Sequence, residues 1–291
     1  MEKFEFSDLV FENSKKSIDE YSVITKEIKR DIIKSLTLAK SGHSGGSLGI
    51  SEILTVLYFG NYMKYNPKEP NWSERDRFVL SAGHLAPVLY SVLARANFFP
   101  PNELSTLRKY NSRLQGHPGL DMHLPGIETS TGSLGQGVSI AVGMAISDKV
   151  IDNNKRNIFC LTGDGELQEG ATWEAAMAAG SLELNNLCWI VDNNDCQIDG
   201  RVKDIMSVYP IKEKFQSFNF NVIEIDGHNY EDIERGFNFF LENAKSDKGK
   251  PTCIIATTFM GNGISFMQDK YQWHGNPPKP EQAIQALKEL E

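Results

Sequence analysis

Residues 158–194 read IFCLTGDGELQEGATWEAAMAAGSLELNNLCWIVDNN. An apolar run, Ile158–Leu161, ends in Gly163-Asp164-Gly165. An Ala-rich stretch over 171–182 has helix-forming composition, and a second apolar run, Leu187–Val191, ends in Asp192-Asn193-Asn194. Short apolar runs that alternate with longer helical patterns spell βαβ units, and βαβ units build a parallel sheet.

The same alternation extends in both directions. Arg77–Leu80, Val222–Ile225 and Cys253–Thr257 read as further strands, and residues 18–40, 49–62, Ala86–Ala96, 135–150 and 230–245 read as helices. Residues 64–75 and 268–280 are the loose segments, the latter holding Pro277, Pro278 and Pro280. No repeat or low-complexity linker divides the chain. The fold class expected is α/β, a parallel sheet flanked by helices, in a single domain over residues 1–291.

Each strand candidate leaves into polar or titratable side chains, in four of the five with glycine: Ser81-Ala82-Gly83-His84, Gly163-Asp164-Gly165, Asp192-Asn193-Asn194, Asp226-Gly227-His228-Asn229 and Gly261-Asn262-Gly263. Ligands of parallel α/β sheets bind at the carboxyl ends of the strands, so this edge is where a site belongs. Asp164 and Asn194 end successive strands of one crossover unit. A carboxylate and a carboxamide make a sparse oxygen set suited to Mg²⁺, which keeps waters and takes further oxygens from phosphates. GDG and DNN are also good turn sequences, and either one alone reads more simply as a turn. Their occurrence together favours the metal.

Of the six histidines, all but His123 adjoin a glycine. Glycine permits tight turns and close ligand approach, and imidazole donates hydrogen bonds and relays protons. His43, His84, His117 and His274 therefore stand out, while His123 and His228 read equally well as structural. Ser130–Gly137, STGSLGQG, opens a helix in the manner of a turn that offers N–H groups to an anion, although it is neither a Walker loop nor GxGxxG. Glu169 and Glu174, taken alone, are ordinary exposed helix acids.

Composition sets the outer bounds. The 291 residues carry 40% hydrophobic side chains and a net charge of −8, which suits a large core and argues against a generic nucleic-acid surface. The four cysteines form no CxxC pair; Cys160, Cys188 and Cys253 sit in apolar runs and read as small core residues. The N-terminus lacks the apolar core of a signal peptide, and no apolar stretch approaches the ~18 residues of a membrane span. A cytoplasmic location with no membrane and no nucleic-acid partner is expected.

Gly163-Asp164-Gly165 followed by Asn193-Asn194 resembles the bipartite thiamin-diphosphate signature. SGHSGGSLG at 41–49, RDRFVLSAGH at 75–84, QGHPG at 115–119, LPGIETSTGSLGQG at 124–137, GDGELQEGATWEA at 163–175 and DNNDCQIDG at 192–200 resemble, in order, the N-terminal portion of transketolases. The resemblance implies a thiamin-diphosphate-binding fold with Mg²⁺ (or Ca²⁺) held by Asp164, Asn194 and the Cys196 carbonyl. It places His84, His274 and the Gly165 N–H around the diphosphate, and Gly132 and Leu134 against the cofactor. His43, His117 and His274 would handle the ketose donor, and Glu169 and Glu174 would link cofactor sites across a subunit interface. Members usually carry Pro where Ser44 stands and a small or apolar residue where Glu166 stands; SFMQDKYQ, before Trp273-His274, also departs from the family pattern.

The resemblance further implies two-carbon transfer between sugar phosphates. It also implies a complementary subunit, because the family's pyrimidine-binding and C-terminal domains have no counterpart here; a heterotetramer with two copies of each chain is expected. The alternatives are the alpha subunit of a 2-oxo-acid dehydrogenase, which shares GDG and the later Asn, and a non-catalytic cofactor-binding remnant. The segments at 75–84 and 124–137 favour transketolase over the first, and the intact Asp164, Asn194 and histidine set speaks against the second.

Overall fold

The structure is a computed structural model that describes residues 4–154, 156–246 and 249–291. Strands β1 (Arg77–Leu80), β2 (Ile158–Gly163), β3 (Leu187–Asn193), β6 (Asn221–Asp226) and β7 (Thr252–Thr257) form a five-stranded sheet in the order β1-β2-β3-β7-β6. All of its neighbours pair in parallel. β4 (Cys196–Gln197) and β5 (Gly200–Arg201) make a separate antiparallel pair.

The strands are apolar along their length because both sheet faces are covered. Alternate residues feed two cores. Phe78, Leu80, Phe159, Leu161, Cys188, Ile190 and Ile254 point to one side. There they meet α1 (Ile18–Ala39), α3 (Ser51–Phe59), α4 (Ala86–Arg95), α9 (Tyr230–Ala244) and α10 (Pro280–Glu289). Val79, Ile158, Cys160, Leu187, Trp189, Val191 and Cys253 point to the other, against α5 (Gln136–Ile146), α6 (Gly170–Ser181) and α8 (Ile211–Ser217). Burial of each large side chain is worth about 1.5–3 kcal/mol. The three cysteines expected in the core are there, and Cys196 is buried as well.

Parallel register brings the strand ends level: Gly163 pairs with Asp192, and Asn193 with Thr257. That alignment places the β2 and β3 exits at one edge. Helix ends are set by local chemistry. Ser17 and Glu20 form a reciprocal capping box at the start of α1, and Asn229 caps α9.

Several boundaries differ from the sequence reading. The helix expected over 49–62 is broken at Ile50, with α2 at Gly45–Gly49 before it and α3 after it. The helix expected to reach residue 150 ends as α-helix at Ile146 and widens into a π-turn over Ser147–Ile151. The C-terminal helix α10, the short α7 (Val202–Ile205) and α8 lie in segments where the sequence pattern assigns no element.

Candidate functional site

A cleft of about 320 Å³ opens at the carboxyl ends of β1, β2 and β3. It gathers most of the side chains singled out from sequence: His43, His84, His117, His274, Asp164, Asn194, Gly165, Gly132, Leu134, Cys196 and Glu169 all line it.

Asp164 caps the end of β2 and is 1% exposed. Its Oδ1 accepts the Gly165 N–H at 2.8 Å and its Oδ2 the Asp195 N–H at 2.6 Å. Asn194 lies beyond the end of β3; its Oδ1 accepts the Cys196 N–H at 2.8 Å, and its Nδ2 donates to Asp192 Oδ2 at 2.8 Å. Each oxygen of this set keeps a lone pair for a cation. Burial, then the charge of Asp192, pushes the Asp164 carboxyl up to about 8. Asp192 is itself raised to about 6 by burial, against the donors Thr258 and Asn194. Two buried carboxylates with no neighbouring Lys or Arg in the cleft lining make an electrostatic demand for a cation. The donor set, all oxygen and partly main-chain, suits a hard divalent ion. Among the described residues no group of three or more His, Cys, Asp or Glu side chains stands at metal-holding distance.

The imidazoles pack on one another. His43 lies 5.1 Å from His84, 5.6 Å from His274 and 6.4 Å from His117, and His84 stacks on His274 at 5.0 Å. Burial holds His43 down to about 4, with the neighbouring imidazoles and Arg108 adding to it. Burial likewise lowers His84 far below the usual imidazole range and lowers His117 and His274. The Cys196 backbone opposes that shift at His274. The cluster is therefore a set of neutral imidazoles at pH 7, each able to donate one hydrogen bond and accept another.

Close backbone approach builds one wall. A Cβ on Gly83 would lie 2.7 Å from the Gly132 nitrogen, and one on Gly132, at φ 135, would lie 2.9 Å from the His117 ring. Over Gly163 the space is open. The helix opening at STGSLGQG does not offer all its N–H groups to the cleft. Gly135 N–H donates to Glu166 Oε1 at 2.8 Å, and Val138 N–H to Ser81 Oγ at 3.0 Å. Glu166, 1% exposed, thus serves as an internal cap for α5, which gives this departure from the family pattern a local reason. The Gly165 N–H is similarly engaged by Asp164.

The strand ends do not all converge. His228, after β6, accepts the Phe259 N–H at Nε2, and Asn262, after β7, donates to Glu52; neither lines the cleft. β7 reaches the cleft instead through Met260 and, further on, His274. Glu174 is exposed on α6, outside the cleft lining, and His123 is exposed. The cleft also includes Asp192, Gln168, Gln197 and Ile198, not singled out from sequence. Asp192 carried a signal: an acid that ends the wholly apolar run LCWIV must be buried with it.

Fold and cleft together define an α/β protein with a ligand cleft at the carboxyl ends of its parallel strands. The family model described as transketolase, thiamine diphosphate binding domain, matches residues 22–290, and the chain belongs to that family. It is 41% identical to the 6-deoxy-6-sulfo-D-fructose transketolase subunit of a Clostridium species, over 90% of this chain and 94% of that one. It is 37% identical to an apulose-4-phosphate transketolase subunit from Phocaeicola vulgatus, over 90% of each. Transketolase from Campylobacter jejuni superposes with a TM-score of 0.87 at 34% identity, covering 94% of this chain and 43% of that one. No helix among the described residues is long and apolar enough to cross a membrane.

Proposed function

We propose that this chain is the cofactor-anchoring subunit of a two-chain transketolase, moving a two-carbon ketol unit from a ketose to an aldose. It works with a complementary subunit that carries the pyrimidine-binding domain, in a cytoplasmic heterotetramer. The observation that carries the reading is the convergence of Asp164, Asn194 and the Cys196 segment with His43, His84, His117 and His274 in one cleft. The names of similarly sized relatives, each called a transketolase subunit, support the split arrangement.

Asp164, Asn194 and the Cys196 carbonyl would hold Mg²⁺ (or Ca²⁺), which offsets the diphosphate charge. His84 and His274 would meet the diphosphate, joined by the Gly165 N–H once it turns from Asp164 Oδ1, with Gly132 and Leu134 against the cofactor. When bound, thiamine diphosphate supplies the nucleophilic carbon and the electron sink for breaking a sugar carbon–carbon bond. His43, His117 and His274, neutral in the cleft, would orient donor hydroxyls and take or return their protons. Glu169 and Glu174 would face the neighbouring protomer, connecting its cofactor site with this one. The names of the relatives, one for 6-deoxy-6-sulfo-D-fructose and the other for apulose-4-phosphate, support an anionic sugar as the substrate class.

The test is two-carbon transfer from a ketose phosphate, or a sulfonated ketose, to an aldose phosphate with thiamine diphosphate and Mg²⁺. Turnover only in the presence of the complementary subunit is the expected result. Turnover by this chain alone would overturn the two-chain reading, and oxidative decarboxylation of a 2-oxo acid by the mixture would move it to the dehydrogenase class.

A further inference from the structure

Arg108 turns the chain back on itself just outside the cleft. Its backbone sits at φ 58, a left-handed conformation that an arginine rarely adopts and that often marks a functional constraint. Its N–H closes the turn on the Leu114 carbonyl at 2.8 Å. The guanidinium then fills a slot made by two glycines. A Cβ on Gly116 would lie 2.8 Å from Cζ, and one on Gly42, itself at φ 126, would lie 3.4 Å from Nε. Nη1 donates to Ser41 Oγ at 3.0 Å and Nη2 to the Gly116 carbonyl at 3.3 Å, while Nε is buried without a partner. Among the described residues no carboxylate pairs with the guanidinium; Tyr90 lies beside it, and its hydroxyl donates to the His117 carbonyl at 3.3 Å. Ser41 and Gly116 belong to the segments that present His43 and His117.

We propose that Arg108 is a positioning residue for the His43–His117 pair, its planar guanidinium fixing the spacing between the two segments that offer these imidazoles to the substrate. The inference rests on the donor-handling role assigned to those histidines above. A lysine cannot replace it, because a point charge on a flexible stem lacks two donors in one rigid plane. The charge acts on the rings as well. The groups acting on His43 are His274, Arg108 and His117, with His84 packed alongside; on His117 it is Arg108. Each pushes the ring it acts on, after burial, toward the neutral form, and Arg108 acts on both.

The experiment compares Arg108→Lys and Arg108→Ala with the wild type in the assembled two-chain enzyme. It reads donor kcat/KM, thiamine diphosphate affinity, the acid limb of the pH profile, and the titration of the His43 and His117 ring protons by NMR. Misplacement of the pair should lower donor kcat/KM about 10–100-fold in both variants, with cofactor affinity unchanged and partial recovery of Arg108→Ala by added guanidinium. Removing the cation in Arg108→Ala should raise both imidazole titrations and move the acid limb to higher pH. Unchanged kcat/KM, full recovery in Arg108→Lys, or a parallel loss of cofactor affinity would overturn the proposal. The ring titrations need no turnover, so they judge Arg108 even where the wild type transfers no two-carbon unit, an outcome that would sink the functional reading instead.

Discussion

Asp164 and Asp192 end adjacent strands, and the main-chain N–H of Asp164 donates to the Asp192 carbonyl at 3.0 Å. That one ladder bond holds two buried carboxylates in a single field, and burial together with the Asp192 charge pushes Asp164 up to about 8. The consequence for stability has a definite sign. A carboxyl raised from about 4 in the unfolded chain binds more protons when folded, so the metal-free protein loses stability as pH rises from about 4 to 8. Asp164→Asn should remove that slope and, without metal, be more stable than the wild type at pH 8, by on the order of 2–4 kcal/mol. Saturating Mg²⁺ should restore wild-type stability and leave the variant unmoved. Thermal unfolding across this pH range, with and without Mg²⁺, decides it; a wild type indifferent to both would remove Asp164 from the cation site.

The same relationship ranks the substitutions by function. Asp164→Ala removes the charged oxygen donor and should abolish cofactor-dependent activity of the assembled enzyme. Asn194→Ala removes the amide oxygen and also leaves Asp192 Oδ2 without its donor. It should weaken cation affinity about 10–100-fold. Calorimetric titration of cofactor with Mg²⁺ measures both, and normal affinity in Asp164→Ala would refute the metal assignment.

Gly83 and Gly132 meet backbone to backbone, so neither side can give. Gly83→Ala would put its Cβ 2.7 Å from the Gly132 nitrogen and 2.8 Å from its Cα. Overpacking of this kind costs about 1–3 kcal/mol. Because the displaced segment carries Leu134, cofactor affinity should fall with stability. Gly143→Ala, open on all sides within 4 Å, is the control and should be neutral or slightly stabilising in the isolated chain, as a helical Ala is favoured over Gly by about 1 kcal/mol. Urea unfolding of both variants measures the difference.

Arg95 and Asp31 form a fully buried ion pair, 2.7 Å from Nε to Oδ2. Arg95 also donates to the Ser7 and Leu9 carbonyls, which ties the N-terminal segment to α1 and α4. Arg95→Met strands the Asp31 carboxylate and two carbonyls, and should cost about 3–5 kcal/mol. Adding Asp31→Leu should recover part of that loss. Denaturant unfolding of the single and double variants measures it, and additive losses would show the pair to be uncoupled.

What could be read from the sequence follows how local each feature is. Strand β2, the GDG turn, α6 and β3 announce themselves because a buried parallel strand must be apolar along its length and its exit must turn. The meeting of Asp164 and Asn194 in one cleft was legible for the same reason: one crossover unit fixes both ends. His228 and Asn262 belong to the same edge by the same logic, yet they bond to Phe259 and Glu52 instead. A strand exit gives the edge, and only the loop after it gives the direction. Glu166 as a cap for α5 depends on a contact between residues far apart in sequence, as does Arg108 between Gly42 and Gly116. Nothing periodic in the chain marks either.

His84 stacks on His274 at 5.0 Å with an interplanar angle of 30°, and burial disfavours protonation of both. A stacked pair of imidazolium ions would repel, so neutrality and close packing support each other. Neutral rings contribute hydrogen bonds to an anion without net charge. A neutral amide donor can replace one. His84→Asn should therefore keep cofactor affinity within about 10-fold of wild type, whereas His84→Leu, which has the bulk and no donor, should lose about 100-fold. If the ring acted as a cation, the two variants would fall together and wild-type affinity would collapse as pH rises through the imidazole range. Cofactor titrations of both variants at pH 6 and pH 8, with Mg²⁺ saturating, separate a donor from a charge.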